Sequence, residues 1–423
     1  MGVYPKPVVR TVYCICWKMR LRPRHPKPYV MVPHRQSLPI QPKYTDERTE
    51  SRVINTERLA AYSAQGSEID AGAIARAAEL LRAGKLVAFP TETVYGLGAN
   101  ALSPDAVARI FEAKGRPANN PVIVHVAEVA EARALTSDWP EIADRLAAVF
   151  WPGPLTLVLP RSDRIPDIVT AGGPTVALRI PSHPVALALL RAAGIPIAAP
   201  SANRSMLLSP TTAEHVLQSL EGRIDALLDG GPTTGGIEST VILLTGERPR
   251  LLRPGLISPA QIEAIVGPID RNGPSNDQNP ELEEGTATRN SGGESTDDGA
   301  EPKGEDRSAE ALASPGMMAR HYAPRAPLEV SGDGELRVRQ QLKEGHKVGW
   351  LTRSRNAPIA DMPARLVRLE MPPDAPGYAA RLYAALHSLD DQGVTRIVAD
   401  KLPPTDEWLA LRDRLRRAST PEV

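Results

Sequence analysis

FPTETVYGLGANA, residues 89–101, follows the apolar run LVAF at 86–89, which is typical of a buried strand and which a proline ends. Two threonines, a glutamate and a tyrosine come next, before two glycines. A segment that served only for packing would not need so many hydrogen-bonding groups at one strand end. The sequence therefore predicts that something polar and specific is bound there.

Regular elements surround this strand end. Asp70 can cap a helix whose apolar residues recur at helical spacing, and Ser103 begins a second helix that delivers Lys114 and Arg116 at its end. Further strands are predicted at 122–126, 155–160, 175–181, 196–200 and 239–244, and further helices at 141–149, 184–193 and 212–220. Strands and helices mix without strict βαβ alternation, which predicts an α/β domain with a twisted, mixed sheet and flanking helices.

Composition sets the limits of this first domain, which we predict at 67–266. Residues 1–66 are predicted to be a disordered extension, because the first 45 residues carry many bases and prolines but no acid; an organellar transit peptide is the alternative. Residues 267–325 are predicted to be a linker that ends in a candidate lid segment, PGMMARHYAP at 315–324. Its segment 271–312 has eleven acids against four bases and a single leucine before its last residue, which predicts disorder.

A second, smaller domain is predicted at 326–423. The sequence indicates strands near 346–351, 365–370 and 394–399, and helices near 374–390 and 405–417. This pattern predicts a small Rossmann-like α/β unit.

Overall composition excludes several functional classes. The 50 basic and 50 acidic residues balance, so no global attraction to nucleic acid or anionic membrane is indicated. The two cysteines, Cys14 and Cys16, are too few for a zinc site or a disulfide framework, which favours an intracellular, cytoplasmic chain. No run of about 18 apolar residues occurs, so we expect no membrane span.

Three polar loops are candidates for the binding chemistry. KGRPANNPVIVH (114–125) places two cations at a helix end, although such cations also complement the helix dipole. PSANRSMLLSPTT (200–212) is a hydroxyl and amide cluster that leads into a helix, so it suits an anion site or an ordinary capping loop. DGGPTTGGIEST (229–240) is glycine-rich, as a long turn would be.

Two common nucleotide motifs do not fit. GLGANA (96–101) could be taken for a dinucleotide fingerprint, but no acid lies about 20 residues further on at the end of a second strand. No G-x-x-x-x-G-K-[ST] sequence occurs, so the chain is not a P-loop enzyme.

Eight segments together resemble one family. FPTETVYGLGANA, KGRPANNPVIVH, FWPGPLTLVL, TVALRIPSHP, APSAN, DGGPTTGGIESTVI, LLRPG and PGMMARHYAP occur in the order found in YrdC-type threonylcarbamoyl-AMP synthases, in the long form with an additional C-terminal domain. The resemblance covers about 67–266 and 313–423.

The resemblance implies an ATP-binding nucleotidyltransferase that forms threonylcarbamoyl-AMP and pyrophosphate from L-threonine, bicarbonate and ATP. Mg²⁺ would accompany ATP, and no metal would be held by the protein itself. The product would pass to a downstream threonylcarbamoyl transferase for N6-threonylcarbamoyladenosine modification of tRNA. The polar strand end at 90–95 would then line a pocket for a small zwitterionic amino acid.

Site residues follow from the same resemblance. It implies L-threonine binding by Thr91, Thr93, His125, Arg179, Ser201 and Ser239. It implies ATP binding by Arg116, Asn120, Thr175, Asn203, Ser209, Thr211, Arg253 and Tyr322, with Lys114 and Arg116 as the catalytic cations. Met206 stands where the family usually carries glycine, the residue that most readily adopts positive φ and lets the backbone approach a ligand closely.

Two other functions compete with this interpretation. A module of the same fold that binds double-stranded RNA or tRNA is the main alternative, although the neutral net charge favours only weak RNA binding. A carbamoyl-transfer protein of hydrogenase maturation would need paired CxxC motifs, and Cys14 and Cys16 form only one C-x-C.

Overall fold

A computed structural model describes residues 55–63, 66, 68–271, 322–354 and 364–420. The predictions for Cys14, Cys16, most of the N-terminal extension and the acidic segment from 272 onward lie outside these residues, as do 315–321 of PGMMARHYAP.

The first domain is built on a ten-stranded sheet. Its strands are β1 (Glu57–Ala60), β2 (Val87–Phe89), β3 (Gly96–Asn100), β4 (Ile123–His125), β5 (Leu155–Pro160), β6 (Thr175–Arg179), β7 (Ile197–Ala198), β8 (Ala226–Asp229), β9 (Thr240–Leu243) and β10 (Arg250–Arg253). They are ordered β1-β8-β2-β3-β7-β4-β6-β5-β9-β10. The sheet contains parallel pairs such as β4 with β6 and antiparallel pairs such as β5 with β6, which confirms the predicted mixed sheet.

Eight helices accompany this sheet in the part of the chain that the structure describes: α1 (Ala71–Arg82), α2 (Pro104–Lys114), α3 (Val129–Ala134), α4 (Glu141–Phe150), α5 (Asp167–Thr170), α6 (Pro184–Ala193), α7 (Ala213–Leu220) and α8 (Pro259–Val266). The predicted caps are confirmed, because the side chains of Asp70 and Ser103 accept hydrogen bonds from the first turns of α1 and α2. The left-handed Gly115 ends α2 and turns the chain toward Arg116.

The predicted start of order at residue 67 is wrong, because β1 lies ten residues earlier and pairs in parallel with β8. Its sequence ERLA is short and only half buried, so it gives too weak a pattern to predict a strand. Strand β3 was also not predicted. Its Gly98 lies where a Cβ would come within 3.0 Å of Ile197 and Phe89, so close strand packing requires this glycine.

The second domain contains four parallel strands with helices between them. Its elements are β11 (Leu328–Ser331), α9 (Gly334–Lys343), β12 (Val348–Thr352), β13 (Leu366–Glu370), α10 (Ala375–Asp391), β14 (Arg396–Asp400), a 3-10 turn (Asp406–Trp408) and α11 (Leu409–Ser419). The strand order is β11-β14-β12-β13. The predicted α/β unit is confirmed, and β11 and α9 are elements that the sequence pattern did not predict.

The two domains share one apolar cluster. Val94, Leu208 and Ile237 of the first domain pack in it with Tyr322 and with residues of α10 such as Tyr383. Helix α10 comes so close that a Cβ on Gly236 would lie 2.3 Å from the carbonyl oxygen of Ala379. The second domain is therefore packed directly against the loops that follow β2 and precede β9.

Among the described residues, every helix is too short or too polar to span a bilayer.

Candidate active site

A cavity opens among the loops at one side of the ten-stranded sheet. It is lined by Thr91, Thr93, Val94, Tyr95, Gly96, Arg116, Ile123, His125, Arg179, Ala199, Pro200, Ser201, Glu238, Ser239, Arg253 and Tyr322. The wall of the cavity therefore contains residues of the strand end at 90–95, of all three polar loops and, through Tyr322, of the linker.

Hydroxyl groups and one arginine form an ordered chain at the strand end after β2. The Thr91 hydroxyl donates to the carbonyl oxygen of Val94 at 2.7 Å and accepts from the Thr93 hydroxyl at 2.7 Å. Arg179 donates to the Thr93 Oγ1 atom at 3.0 Å. With these roles fixed, the hydroxyls present oxygen atoms to the cavity that can orient a ligand without adding charge.

Arg179 is partly neutralised by Glu92, a residue outside the predicted site set. The Arg179 Nη2 atom donates to Glu92 Oε1 at 2.6 Å, and the other carboxylate oxygen of Glu92 accepts from the Ser182 backbone N–H. This buried pair fixes the guanidinium plane. A carboxylate inside the predicted polar stretch was the signal that could have identified it.

His125 is a neutral imidazole in the cavity wall. Burial, followed by the nearby charge of Arg179, lowers the pKa of His125 to about 3. Its Nδ1 atom is buried and makes no hydrogen bond within the described residues. A buried polar atom costs free energy unless it is hydrogen-bonded, so Nδ1 is well placed to bind a ligand.

Arg116 and Arg253 lie at another part of the wall and are held mainly by neutral oxygens. Arg116 donates to the backbone and side-chain oxygens of Asn120 and to the Pro121 carbonyl, at 2.6–3.1 Å. Arg253 donates to the carbonyl and hydroxyl of Ser239 at 3.0–3.2 Å. Burial lowers the pKa of Arg116 to about 10 and lowers that of Arg253, so both cations would gain from a bound anion.

Lys114 does not line the cavity. Its ammonium donates to the carbonyl oxygen of Ser201 at 2.5 Å and to that of Asn203, and the Ser205 N–H donates to the Lys114 carbonyl. Lys114 therefore holds the backbone of the 200–205 loop in place. This geometry favours a structural role for Lys114 over the catalytic contact that the resemblance implies.

Nine of the fifteen predicted site residues line the cavity: Thr91, Thr93, Arg116, His125, Arg179, Ser201, Ser239, Arg253 and Tyr322. Apart from Lys114, three of the others support wall residues from behind: Asn120 accepts from Arg116, Asn203 accepts from the Ser201 hydroxyl, and Ser209 donates to Glu238. Thr211 contacts His215, which does not line the cavity.

Thr175 is a predicted ATP contact that lies at the far end of its strand from the cavity. It begins β6, whereas the cavity residue Arg179 ends that strand. Four residues of strand separate the two by roughly 13 Å, and Thr175 is not among the residues that line the cavity.

Met206 has φ of +72°, so it lies in the left-handed region that favours glycine. Its carbonyl oxygen accepts from the Ala323 N–H at 3.1 Å. Met206, where the sequence departs from the family, therefore lies at a contact between the 200–212 loop and the linker.

Comparisons with known proteins identify the family of the chain. Residues 79–255 match the family described as "Telomere recombination", and residues 257–420 match "Threonylcarbamoyl-AMP synthase, C-terminal domain". The threonylcarbamoyl-AMP synthase of Bacillus subtilis (strain 168) is 45% identical over 356 residues, which cover 82% of this chain and 92% of the relative. That of Pyrococcus abyssi is 41% identical over 81% of this chain and 93% of its own length.

A solved structure gives the same assignment. The crystal structure of P. abyssi Sua5 complexed with L-threonine matches with a TM-score of 0.70 and 39% identity, over 87% of this chain and 97% of that chain. The chain therefore belongs to the threonylcarbamoyl-AMP synthase family, whose members are nucleotidyl-transferring enzymes, in its long form with a C-terminal domain.

Proposed function

We propose that the cavity joins L-threonine, bicarbonate and ATP into threonylcarbamoyl-AMP with release of pyrophosphate. The observation that carries this proposal is one cavity in which Arg179 and ordered hydroxyls face the same space as Arg116 and Arg253. In the cytoplasm, the product would pass to a threonylcarbamoyl transferase that modifies tRNA.

Threonine would occupy the part of the cavity nearest the strand end after β2. Arg179 can bind a carboxylate, while Thr91, Thr93, Ser201 and Ser239 offer hydroxyls and His125 a neutral ring nitrogen. The relative solved with L-threonine supports this choice of substrate.

ATP would place its phosphates on Arg116 and Arg253. Asn120, Asn203, Ser209 and Thr211 would act through the side chains and loops that they support, and Lys114 would position the loop after β7. The position of Thr175 gives no support for a contact with ATP.

Mg²⁺ would arrive on the phosphates of ATP, where it neutralises charge. The described residues contain no group of three His, Cys, Asp or Glu side chains that could hold a metal ion. Mg²⁺ commonly keeps several water ligands and is bound through the phosphates of a nucleotide substrate.

The reaction needs alignment more than a covalent intermediate. The threonine amine attacks bicarbonate with loss of water, or CO₂ with loss of a proton, to give a carbamate. A carbamate oxygen then attacks the α-phosphorus as pyrophosphate leaves. Arg116 and Arg253 would stabilise the charge that develops on the phosphates, and the wall would hold the reactants in line.

Tyr322 would cover the nucleotide. Its side chain is 1% exposed, and its hydroxyl lies 3.5 Å from the Arg253 Nη1 atom. Exclusion of water would protect an adenylate from hydrolysis, so Tyr322→Ala is expected to release more free AMP for each product formed.

The decisive experiment measures pyrophosphate release from ATP with each substrate omitted in turn. We expect release to require L-threonine and bicarbonate together. Release that ignores threonine would refute the proposal. Tight tRNA binding in the absence of any such release would favour the RNA-binding alternative.

A further inference from the structure

The C-terminal domain holds a carboxylate of the cavity wall. Glu238 is 6% exposed, and its Oε2 atom accepts from the Nε atom of Arg414 on α11 at 2.7 Å. The Tyr383 hydroxyl on α10 lies 3.1–3.2 Å from both carboxylate oxygens. The first domain adds one donor, because the Ser209 hydroxyl donates to Oε1 at 2.5 Å.

Arg414 makes three further contacts around the same part of the cavity. Its Nη1 atom donates to Asp413 at 2.8 Å, and its Nη2 atom donates to the Pro254 carbonyl, just beyond Arg253, at 3.1 Å. Its guanidinium carbon lies 5.1 Å from the ring centroid of Tyr322. One side chain that is 1% exposed thus joins the last helix to the wall, to the β10 loop and to the linker.

The charges in this cluster are balanced through Arg414. Burial alone would raise the pKa of Glu238, but the charges of Arg414 and Arg253 outweigh burial and hold that pKa below its usual range. Glu238 therefore remains a carboxylate. Arg414 has a raised pKa in spite of its burial, because Glu238 and other anionic groups surround it.

We propose that Arg414 is a positioning residue for the nucleotide: it neutralises Glu238, so that Arg253 remains directed at phosphate, and it packs on Tyr322 over the same end of the cavity. Without Arg414, Glu238 would draw Arg253 toward itself, since a buried carboxylate needs a partner. The inference rests on the proposed function, in which Ser209, Arg253 and Tyr322 all lie around ATP.

This role differs from a general structural one because it affects the two substrates unequally. Arg414 packs on Tyr322, which we assign to ATP, and it pairs with Glu238, whose charge also acts on Arg253. Thr93 and Arg179 are instead organised by Glu92 and by each other. Loss of Arg414 should therefore weaken nucleotide binding and leave threonine binding nearly unchanged.

The test compares Arg414→Met with Arg416→Met in the full-length chain. Arg416 lies on the same helix and pairs with the same Asp413 at 3.1 Å, but it is exposed and does not contact Glu238. Calorimetry would give the affinity of each variant for a non-hydrolysable ATP analogue and for L-threonine. We expect Arg414→Met to lose at least about tenfold in nucleotide affinity and less than about twofold in threonine affinity. Arg416→Met should match the wild type for both.

A second substitution separates positioning from folding. In Glu238→Gln/Arg414→Met no carboxylate competes for Arg253, so nucleotide affinity should recover by several fold relative to Arg414→Met. If thermal melting shows that Arg414→Met is unfolded, this double variant and Tyr383→Phe decide, with a smaller loss of nucleotide affinity expected in Tyr383→Phe.

Three outcomes would overturn the inference: no loss of nucleotide affinity in Arg414→Met, equal losses for both ligands, or no recovery in the double variant. A wild-type chain that does not bind the ATP analogue would overturn it as well. A wild-type chain that binds the analogue with the expected split, yet releases no pyrophosphate with threonine and bicarbonate, would refute the proposed function alone.

Discussion

Buried arginines in the two domains have opposite surroundings. Arg116 in the cavity wall donates to three neutral oxygens, and burial lowers its pKa to about 10. Arg414 in the C-terminal domain binds the carboxylates of Glu238 and Asp413, and its pKa is raised. A buried cation held by neutral groups keeps most of its attraction for an anion, whereas a cation paired with two carboxylates has already used most of it.

The same contrast separates binding from support. Arg116 lines the cavity and Arg414 lies behind its wall. We therefore expect substitution of Arg116 to affect activity far more than stability, and substitution of Arg414 to affect both.

Replacing Arg116 is expected to have the largest effect. Arg116→Met should lower kcat/KM for ATP by about 10²–10³-fold, because one preorganised donor to a developing charge is removed. Its thermal midpoint should stay the same or rise, because a buried cation with a depressed pKa costs free energy to desolvate. Steady-state kinetics and thermal melting measure the two quantities.

The matched control for this experiment is Arg133→Met. Arg133 is about half exposed and pairs with Asp144 outside the cavity, so neither activity nor melting should change much. Near-normal turnover by Arg116→Met at saturating ATP would contradict the site assignment.

A substitution at the contact between the two domains should disturb Arg414 and not Arg116. A Cβ on Gly236 would lie 2.3 Å from the Ala379 carbonyl oxygen and 2.6 Å from the Ala380 Cα of α10, and Gly236 also has φ of +73°. Gly236→Ala should therefore destabilise the chain by at least about 2 kcal/mol and weaken nucleotide affinity, since Arg414 is moved away from Glu238. Urea unfolding and calorimetry would measure both effects.

Gly231→Ala provides a close control in the same loop. Gly231 has φ of +79°, but no atom lies within 4 Å of the position that an alanine methyl group would take, so only the backbone strain is added. If both variants lost the same stability and the same nucleotide affinity, the contact with α10 would not be what supports the site.

How well the sequence predicts a feature depends on how far apart in the chain the interacting residues lie. The helix caps at Asp70 and Ser103 and the strand that ends at His125 follow from local patterns, and the structure confirms them. Glu238 could not be recognised as a paired wall residue, because its partners Tyr383 and Arg414 lie 145 and 176 residues away. No local spacing encodes such a contact, and the short strand β1 likewise depends on its distant partner β8.

A pair of histidines across the domain contact predicts a smaller, pH-dependent effect. The rings of His215 on α7 and His387 on α10 stack with centroids 3.8 Å apart. Burial, followed by the charge of His387, lowers the pKa of His215 to about 4, and burial also lowers that of His387. Asp391 and Glu214 act on His215 in the opposite direction.

The sign follows from proton uptake. Below pH 6.5 the unfolded chain protonates His215 first, so stability should fall as the pH decreases from about 6.5 to about 4. Because His215 is partly exposed, we expect its share at pH 5 to be about 1 kcal/mol after allowance for solvent screening. Urea unfolding at pH 7 and pH 5 should show a smaller loss in His215→Gln than in the wild type. An equal loss in both chains would exclude His215 as the cause.

The smallest expected effect concerns Met206, at the contact between the cavity loop and the linker. Met206 and Tyr322 both have positive φ, +72° and +62°, and the Met206 carbonyl accepts from the N–H of the next linker residue, Ala323. An L-residue in the left-handed region costs about 1–2 kcal/mol relative to the ordinary helical region, while a glycine adds about 0.4–1 kcal/mol of unfolded-chain entropy. Met206→Gly should therefore be more stable than Met206→Ala by roughly 0.5–1 kcal/mol. Both variants lose the methionine side chain beyond Cβ, but only alanine keeps the Cβ that is strained at positive φ.

Urea unfolding of the two variants measures this difference. Nucleotide affinity should change by less than about threefold, since Met206 does not line the cavity. A glycine variant less stable than the alanine variant would mean that the loop does not hold residue 206 at positive φ, and that the packing of the linker on this loop is looser than the Ala323 contact indicates.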